Sequence, residues 1–304
     1  MAVRGRRGQP DRLHFQPHLL LPLASAVLYA LGALAIKRAS LFGIGLWRTN
    51  FLANWTMALC SMPVWMLGGP IPADGWWQPI VVGFAFLTAQ TLMFIALTRG
   101  DVSVATPIMG TKVLIVASLS LVLLPGPVPG IWWIAAALST AGVFLLSRGD
   151  AAVRRDALKT VLFAAGGAAM FSVSDVLTQK FAPAWGLGRF LPFVLLTVAV
   201  MSFLYVPLFN APLRQIPRGG RLWVGAGALL FAVQGIGIFY VIGRFGDATA
   251  VNIVYSLRGM LSVVFVWLFG EWFRNDESKH ARSILIQRFA GSALMVSAVV
   301  LVVL

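Results

Sequence analysis

The chain has 304 residues, of which 59% are hydrophobic and only 11% are charged, and its mean hydropathy is +0.85. These values exclude a soluble globular domain and indicate a protein that lies in a lipid bilayer. The net charge of +14 does not indicate a nucleic-acid partner, because the basic residues are scattered over the N-terminal tail and the short connections between apolar runs.

Ten apolar runs follow a basic tail at residues 1–18, and each is long enough to cross about 30 Å of hydrocarbon as a helix. Because backbone polar groups find no water in lipid, continuous runs of this kind predict helices. We therefore expect an all-α membrane protein with ten transmembrane helices in two five-helix units, 19–147 and 157–304, joined by a linker at 148–156. The runs fall at residues 19–36, 46–67, 77–97, 102–124, 130–147, 157–180, 188–208, 222–242, 249–270 and 284–304.

The fourth and ninth runs carry the clearest sign of an internal duplication. Each opens on a Gly-Asp pair, at 100–101 and at 246–247, and each reaches a basic residue eleven positions after that aspartate, at Lys112 and at Arg258. The two segments are therefore offset by a constant 146 residues.

Two further correspondences extend the duplication. Gln90 in the third run and Gln234 in the eighth hold similar places, and residues 26–38 (AVLYALGALAIKR) parallel residues 168–180 (AAMFSVSDVLTQK). Because each unit holds five spans, an odd number, the second unit must enter the membrane in the opposite orientation. This predicts two inverted repeats, the architecture of secondary transporters, with a site near the midplane between them.

Lys112 and Arg258 are the candidate substrate-binding cations. Each lies at the middle of an apolar run, where a charged group costs several kcal/mol and marks a functional site. An axis that relates the two units would bring both side chains to one cavity, and an anion between them would relieve their repulsion and their lack of water. Arginine offers a planar fork to a carboxylate or phosphate, and lysine a mobile point charge.

Other polar groups are expected to line the same cavity, although each has an interhelical hydrogen bond as an equally good alternative role. Pro107 is expected to kink the fourth helix. The polar candidates are Gln90, Gln234, Tyr255, Asn252, Thr111, Ser172 and Ser174.

Asp175, in the sixth run, is the most deeply placed acid. It is either a fixed counter-ion to a central cation or a carboxylate that takes up and releases a proton during solute movement, and the sequence leaves both roles open. Asp101, Asp247 and Glu271 lie at span ends, where they are expected to cap helices or hold loop ends.

Enzymatic chemistry is not expected. His14, His18 and His280 lie in the tail and in one loop, and no spaced set of Cys or Asp residues predicts a metal site. No phosphate-binding loop of the Walker type is present, so neither a cofactor nor direct drive by ATP is expected.

The ten runs, with WLFGE at 267–271 closing the ninth and Gly291 inside the last, resemble the EamA-like members of the drug/metabolite transporter superfamily. The resemblance covers nearly the whole chain, although Pro125-Gly126 replaces the Gly-Glu expected after the fourth span. It implies alternating access, commonly with export of amino acids, metabolites or drugs. Sugar-phosphate and nucleotide-sugar relatives place cations on the fourth and ninth helices, which Lys112 and Arg258 resemble, and this implies an anionic solute.

We therefore expect a secondary transporter that moves a small organic anion or zwitterion across the bacterial inner membrane. The alternative is an exporter of aromatic or amphipathic metabolites or drugs whose central cations are structurally paired. A homodimer is left open. The resemblance and the tail arginines predict cytoplasmic termini. The connections after the first, third, fifth, seventh and ninth runs hold fourteen basic residues, against seven on the opposite side of the membrane. This count favours termini outside the cytoplasm.

Overall fold

The computed structural model describes residues 16–99, 105, 108–146, 157–269 and 282–303. All regular structure within these ranges is helical, which confirms the all-α prediction. The predicted linker at 148–156, the Gly-Asp pair at 100–101 and the Gly-Glu pair at 270–271 lie outside the described residues. The helices are α1 (Leu20–Ser40), α2 (Leu46–Ser61), α3 (Trp77–Arg99), α4 (Lys112–Leu123), α5 (Gly130–Leu146), α6 (Ala157–Trp185), α7 (Leu187–Met201), α8 (Arg218–Phe245), α9 (Ala248–Ser256), α10 (Arg258–Phe269) and α11 (Arg282–Val303).

Six helical stretches in the described ranges are long and apolar enough to cross a membrane. Three shorter apolar helices have between 10 and 17 residues, namely Ile108–Leu123, Gly130–Leu146 and Phe289–Val303. The α2 helix belongs to neither group, and it carries polar side chains near its start. These lengths and compositions confirm a multi-pass membrane protein. The six long stretches are Pro17–Ser40, Ala73–Ala96, Leu158–Trp185, Leu187–Leu208, Arg218–Phe245 and Ala248–Phe265.

Three antiparallel helix pairs form the frame of the bundle, α1 with α8, α3 with α6, and α5 with α11. Small residues allow the close approach that membrane helices use in place of a hydrophobic drive. A Cβ added to Gly142 of α5 would lie 2.7 Å from the carbonyl oxygen of Gly291 in α11, and one added to Gly32 of α1 would lie 2.9 Å from the ring of Phe231 in α8. These glycines therefore fix how deeply the helices interlock.

Two of the expected spans are each broken near their middle. At the breaks, the Thr111 N–H donates to the Ile108 carbonyl oxygen at 3.0 Å, and the Leu257 N–H donates to the Val254 carbonyl oxygen at 3.2 Å. These hydrogen bonds span three residues instead of the four of an α-helix. The residues that follow open α4 and α10, so both predicted cations occupy the first position after a break. The expected kink residue, Pro107, lies outside the described residues.

The two ends of the bundle are distinguished by the loops that meet there. At one end, which we call the terminal end, Leu19 and Val302 belong to one buried apolar cluster. At the opposite end, which we call the far end, Ile44 from the connection after α1 packs against Val224 near the start of α8. The helix breaks lie between these two ends.

Candidate functional site

A cavity of about 230 Å³ lies between the helices at the level of the two breaks. Both predicted cations line it, as do Gln90, Gln234 and Tyr255. The cavity extends toward the far end, since its lining includes residues from the end of α1, the start of α2 and the last turns of α3. The far-end lining residues are Ile36, Leu46, Thr49, Asn50, Met93 and Phe94.

Lys112 is held in an ion pair inside this cavity. Its Nζ lies 2.8 Å from Oδ2 of Asp175, and the lysine is only 8% exposed. The Asn252 side-chain amide donates to the same carboxylate oxygen at 2.8 Å and to the Ala248 carbonyl oxygen at 2.9 Å. The Phe171 ring lies 5.3 Å from the Lys112 ammonium. Asp175 therefore stands where the sequence analysis expected the anionic solute to meet Lys112.

Arg258 has a different environment. Its Cζ lies 4.4 Å from the centroid of the Tyr255 ring and 5.0 Å from that of the Tyr29 ring. The two rings are nearly perpendicular, at 82°, with centroids 6.1 Å apart, so they form a corner around the guanidinium. Among the described residues, no carboxylate lies within ion-pair distance of Arg258. Within the described ranges, the faces of these two aromatic rings are the nearest contacts of its guanidinium.

Amide side chains complete the polar part of the wall. The Tyr255 hydroxyl donates to Oε1 of Gln234 at 2.6 Å, which orients the tyrosine ring against Arg258. Gln90 and Asn54 exchange two hydrogen bonds, at 3.1 Å and 3.2 Å. Both predicted glutamines thus line the cavity and also bond to a neighbouring side chain.

Four of the predicted polar residues do not line the cavity. Asn252 acts through Asp175, as described above. The others bond to backbone carbonyl oxygens: Thr111 to Ile108 at 2.7 Å, Ser172 to Ala168 at 2.8 Å, and Ser174 to Val82 at 3.4 Å. These hydroxyls therefore make the other contact considered for them, a hydrogen bond within or between helices.

The sequence analysis missed several lining residues, above all Tyr29 and Phe171. A signal for them existed in the parallel between residues 26–38 and 168–180, because this alignment places Tyr29 opposite Phe171. One turn later the same alignment places Ala33 opposite Asp175. The aromatic partner of each cation is thus matched between the halves, and the acidic partner is not.

At the terminal end, Asp247 does not cap α9 with its side chain, and instead its Oδ2 lies 3.1 Å from Nε2 of His18. The His18 ring stacks on Phe245 at 4.5 Å, and the Ala248 N–H donates to Oε1 of Gln179 at 2.9 Å. Burial raises the pKa of the Asp247 carboxyl, and the nearby His18 partly offsets that rise. These contacts hold the loop between α8 and α9 against the first described turn of the chain.

Comparison with known proteins fits this architecture. Residues 16–148 match the sequence model of the EamA-like transporter family. The fold is similar to that of a protein in a crystal structure, with a TM-score of 0.72 over 95% of this chain and 96% of that chain at 18% sequence identity. A search of curated proteins found no match. The resemblance seen in the apolar runs is thereby confirmed over residues 16–148, which match the EamA-like transporter family.

Proposed function

We propose that this protein is a secondary transporter that moves a small organic anion across the membrane by alternating access and binds the anionic group at Arg258. The observation that carries the proposal is a guanidinium that lines a cavity at the helix breaks without a carboxylate partner in the described part of the chain. Intramembrane ionisable groups of this kind mark solute pathways.

The architecture that we propose for this transport is ten spans in two inverted five-helix units. Its support is the pattern of packing. Exchanging each span of the first unit with the corresponding span of the second turns the contact of α1 with α8 into that of α6 with α3. The same exchange turns the contact of α4 with α6 into that of α10 with α1. All four of these contacts are present. The breaks that precede α4 and α10 are matched in the same way. Two similar units around one site can exchange their conformations, which opens the site to each side in turn.

An anion at Arg258 is favourable for an energetic reason. Arg258 is half-buried and has no carboxylate partner among the described residues, so it loses part of its hydration, and full burial of such an ion costs several kcal/mol. Contacts with two tyrosine rings recover about 1–2 kcal/mol each at a desolvated site. The remainder of that cost is recovered when a solute brings a carboxylate to the guanidinium fork.

A second candidate function rests on the walls of the cavity. Phe86, Phe171, Phe231 and Phe239 line it, and Lys112 is already paired. These features favour export of aromatic or amphipathic compounds, the alternative stated for the sequence. The two functions differ in whether the solute must carry a negative charge.

The test compares binding of 3-phenylpropionate, an aromatic carboxylate, with binding of its uncharged amide to the purified protein by calorimetry, followed by uptake into proteoliposomes. We expect Arg258→Gln to weaken carboxylate binding roughly tenfold or more, since a hydrogen bond to a charged group is worth about 1.5–3 kcal/mol. Arg189→Gln is the matched control, because Arg189 lies 4.2 Å from the Trp65 ring and does not line the cavity.

Unchanged carboxylate binding by Arg258→Gln would contradict the anion proposal. Equal binding of the amide and the carboxylate by the wild-type protein, lost on substitution of Phe239 by Ala, would favour the aromatic alternative. An effect of Arg189→Gln as large as that of Arg258→Gln would show that any arginine lost from the bundle impairs binding, and the proposal would then lose its support.

Asp175 serves as counter-ion to Lys112 in this conformation, and its role in proton coupling stays a prediction. Substitution of Asp175 by Asn should abolish coupling of solute movement to a proton gradient if the carboxylate carries the proton. Uptake by this variant that still responded to the gradient would exclude the coupling role.

The placement in the bacterial inner membrane with cytoplasmic termini also stays a prediction. Fusion of green fluorescent protein and of alkaline phosphatase to the C-terminus separates the two orientations, because the first fluoresces only in the cytoplasm and the second is active only outside it. Active phosphatase with no fluorescence would reverse the predicted orientation and favour the count of loop charges.

A further inference from the structure

We infer that the cavity selects a solute that carries one net negative charge on a compact apolar body. This inference rests on the proposed function, because it specifies the solute of the same site. It excludes zwitterions, which the sequence analysis left beside anions, and it excludes dianions such as phosphate esters.

The first argument is the sum of charges. Among the described residues that line the cavity, three are charged, namely Lys112, Asp175 and Arg258, so the positive charges exceed the negative by one. Charges taken out of water need full compensation, because the low-dielectric surroundings screen them poorly. A monoanion brings the sum to zero. A zwitterion leaves one positive charge over, and a dianion leaves one negative charge over.

The second argument is size. The cavity has a volume of about 230 Å³. Pockets for drug-sized ligands typically hold about 300–1,000 Å³. A nucleotide sugar therefore exceeds the space, and a compact carboxylic acid fills it.

The third argument is the apolar part of the cavity wall. Phe86, Phe231, Phe239, Met57 and Ile238 all line the cavity, and none of these side chains offers a charge or a strong hydrogen bond. A solute that was polar throughout would leave its groups unsatisfied against them, which costs about 1–3 kcal/mol for each group. An apolar body attached to one carboxylate satisfies both parts of the wall.

The charge balance depends on a single position that differs between the halves. Asp175 neutralises Lys112, whereas the residue opposite it in the alignment of 26–38 with 168–180 is Ala33. Ala33 lies one helical turn after Tyr29 and three residues before Ile36, and both of these residues line the cavity. Since residues three and four apart share a helix face, a carboxylate at position 33 would reach toward the same cavity.

The experiment measures dissociation constants for four probes that share a phenyl body: 3-phenylpropionate, its amide, phenylalanine and phenylsuccinate at neutral pH. These carry, in order, one negative charge, no charge, a zwitterionic pair and two negative charges. We expect the wild-type protein to bind 3-phenylpropionate at least about tenfold more tightly than each of the others, given the strength of hydrogen bonds to charged groups. Wild-type binding of phenylalanine or phenylsuccinate as tight as that of 3-phenylpropionate would overturn the inference.

Two variants then shift the charge sum in opposite directions. Asp175→Asn raises it by one and should reverse the preference in favour of phenylsuccinate. Ala33→Asp lowers it by one and should move the preference to the uncharged amide and to phenylalanine. The double variant Lys112→Met with Asp175→Asn keeps the sum unchanged, so it should keep the preference for one charge whatever its absolute affinity. The inference is overturned if Asp175→Asn and Ala33→Asp prefer the same probe as the wild-type protein.

The failure of this inference can be told apart from failure of the proposed function. Suppose that Arg258→Gln loses binding and the wild-type protein binds the charged and zwitterionic probes equally. The inference would then fail, and the proposed function would stand. Unchanged binding by Arg258→Gln would remove the proposed function as well. If Asp175→Asn does not elute as a folded protein, Ala33→Asp, which leaves the buried ion pair intact, and the wild-type series still decide the outcome.

Discussion

The helix breaks just before Lys112 and Arg258 have one backbone geometry and two chemical environments. In both, a hydrogen bond over three residues closes the first half-helix, and a cation opens the second. Lys112 then meets a carboxylate at 2.8 Å, and Arg258 meets two tyrosine rings. The comparison teaches that the same kind of helix break can hold one cation in an ion pair and leave the other without a carboxylate partner among the described residues.

The origin of the difference lies in the helices that face the breaks. Phe171 faces Lys112 and Tyr29 faces Arg258, so the aromatic contact is common to both halves. One turn along, the second half has Asp175 and the first half has Ala33. A single side chain thus decides which cation is neutralised within the protein.

The largest effect that separates the two breaks is expected for stability. Lys112→Met leaves Asp175 buried without its partner, and such a broken pair costs about 3–5 kcal/mol. Arg258→Met removes a cation that has no carboxylate partner among the described residues, so we expect a much smaller loss. Thermal and urea unfolding of the detergent-solubilised protein, followed by tryptophan fluorescence, measures both.

The control for this prediction is the double variant Lys112→Met with Asp175→Asn, which removes both charges and should recover most of the loss. Equal destabilisation by Lys112→Met and Arg258→Met would show that the two cations have the same role, and the comparison between the breaks would fail.

The aromatic contacts are expected to differ in their importance for binding. Tyr29→Leu removes one ring of the corner that holds Arg258, and we expect roughly 5- to 30-fold weaker binding of 3-phenylpropionate, since a desolvated cation–π contact is worth about 1–2 kcal/mol. Tyr29→Phe keeps the ring and should bind within about twofold of the wild type. Calorimetry with this probe makes the measurement.

The matched control is Phe171→Leu, which removes the corresponding ring beside Lys112. Because Asp175 already holds that lysine, we expect a weaker effect on binding than that of Tyr29→Leu. If the two leucine variants were equally impaired, the rings would act through packing and not through the free cation.

A smaller effect is expected at Asn252, which joins α9 to the ion pair between α4 and α6. Asn252→Ala removes the hydrogen bond to the Asp175 carboxylate and should lower the free energy of unfolding by about 1.5–3 kcal/mol, as for hydrogen bonds to charged groups. Ser297→Ala, which removes an exposed hydroxyl bonded within its own helix, should stay within about 0.5 kcal/mol of the wild type. A loss no greater than that of this control would mean that the ion pair does not need Asn252.

The smallest effect is expected at the start of the ninth span. The pKa of Asp247 is raised above its ordinary value of 3.8, mainly by burial. The folded protein therefore keeps a proton on this carboxyl after the unfolded chain has lost it, and stability falls as the pH rises from about 3.8 through the raised pKa. Asp247→Asn should remove that fall, as seen in melting temperatures measured from pH 4 to pH 7.

Asp74→Asn serves as control for this pH dependence, because Asp74 is an exposed carboxyl. It should leave the pH profile of the wild type unchanged. Persistence of the fall in Asp247→Asn would assign the dependence to another group.

The sequence by itself determined the membrane location, the helical class and the two central cations. Long apolar runs admit only helices in lipid, and a constant offset of 146 residues marks the corresponding positions of the two halves. Gln90, Gln234 and Tyr255 were also predicted from their places in those runs, and each lines the cavity.

Only the tertiary structure decided which cation has a carboxylate partner within the described ranges. Lys112 and Asp175 are separated by 63 residues, and their contact depends on how α4 and α6 are rotated and how closely they pack. The same holds for Tyr29 and Arg258, and for the hydroxyls of Thr111 and Ser174, which turn to backbone carbonyls. Apolar runs in a membrane helix have little periodicity, so the side chains that face a cavity become visible only when the helices are assembled.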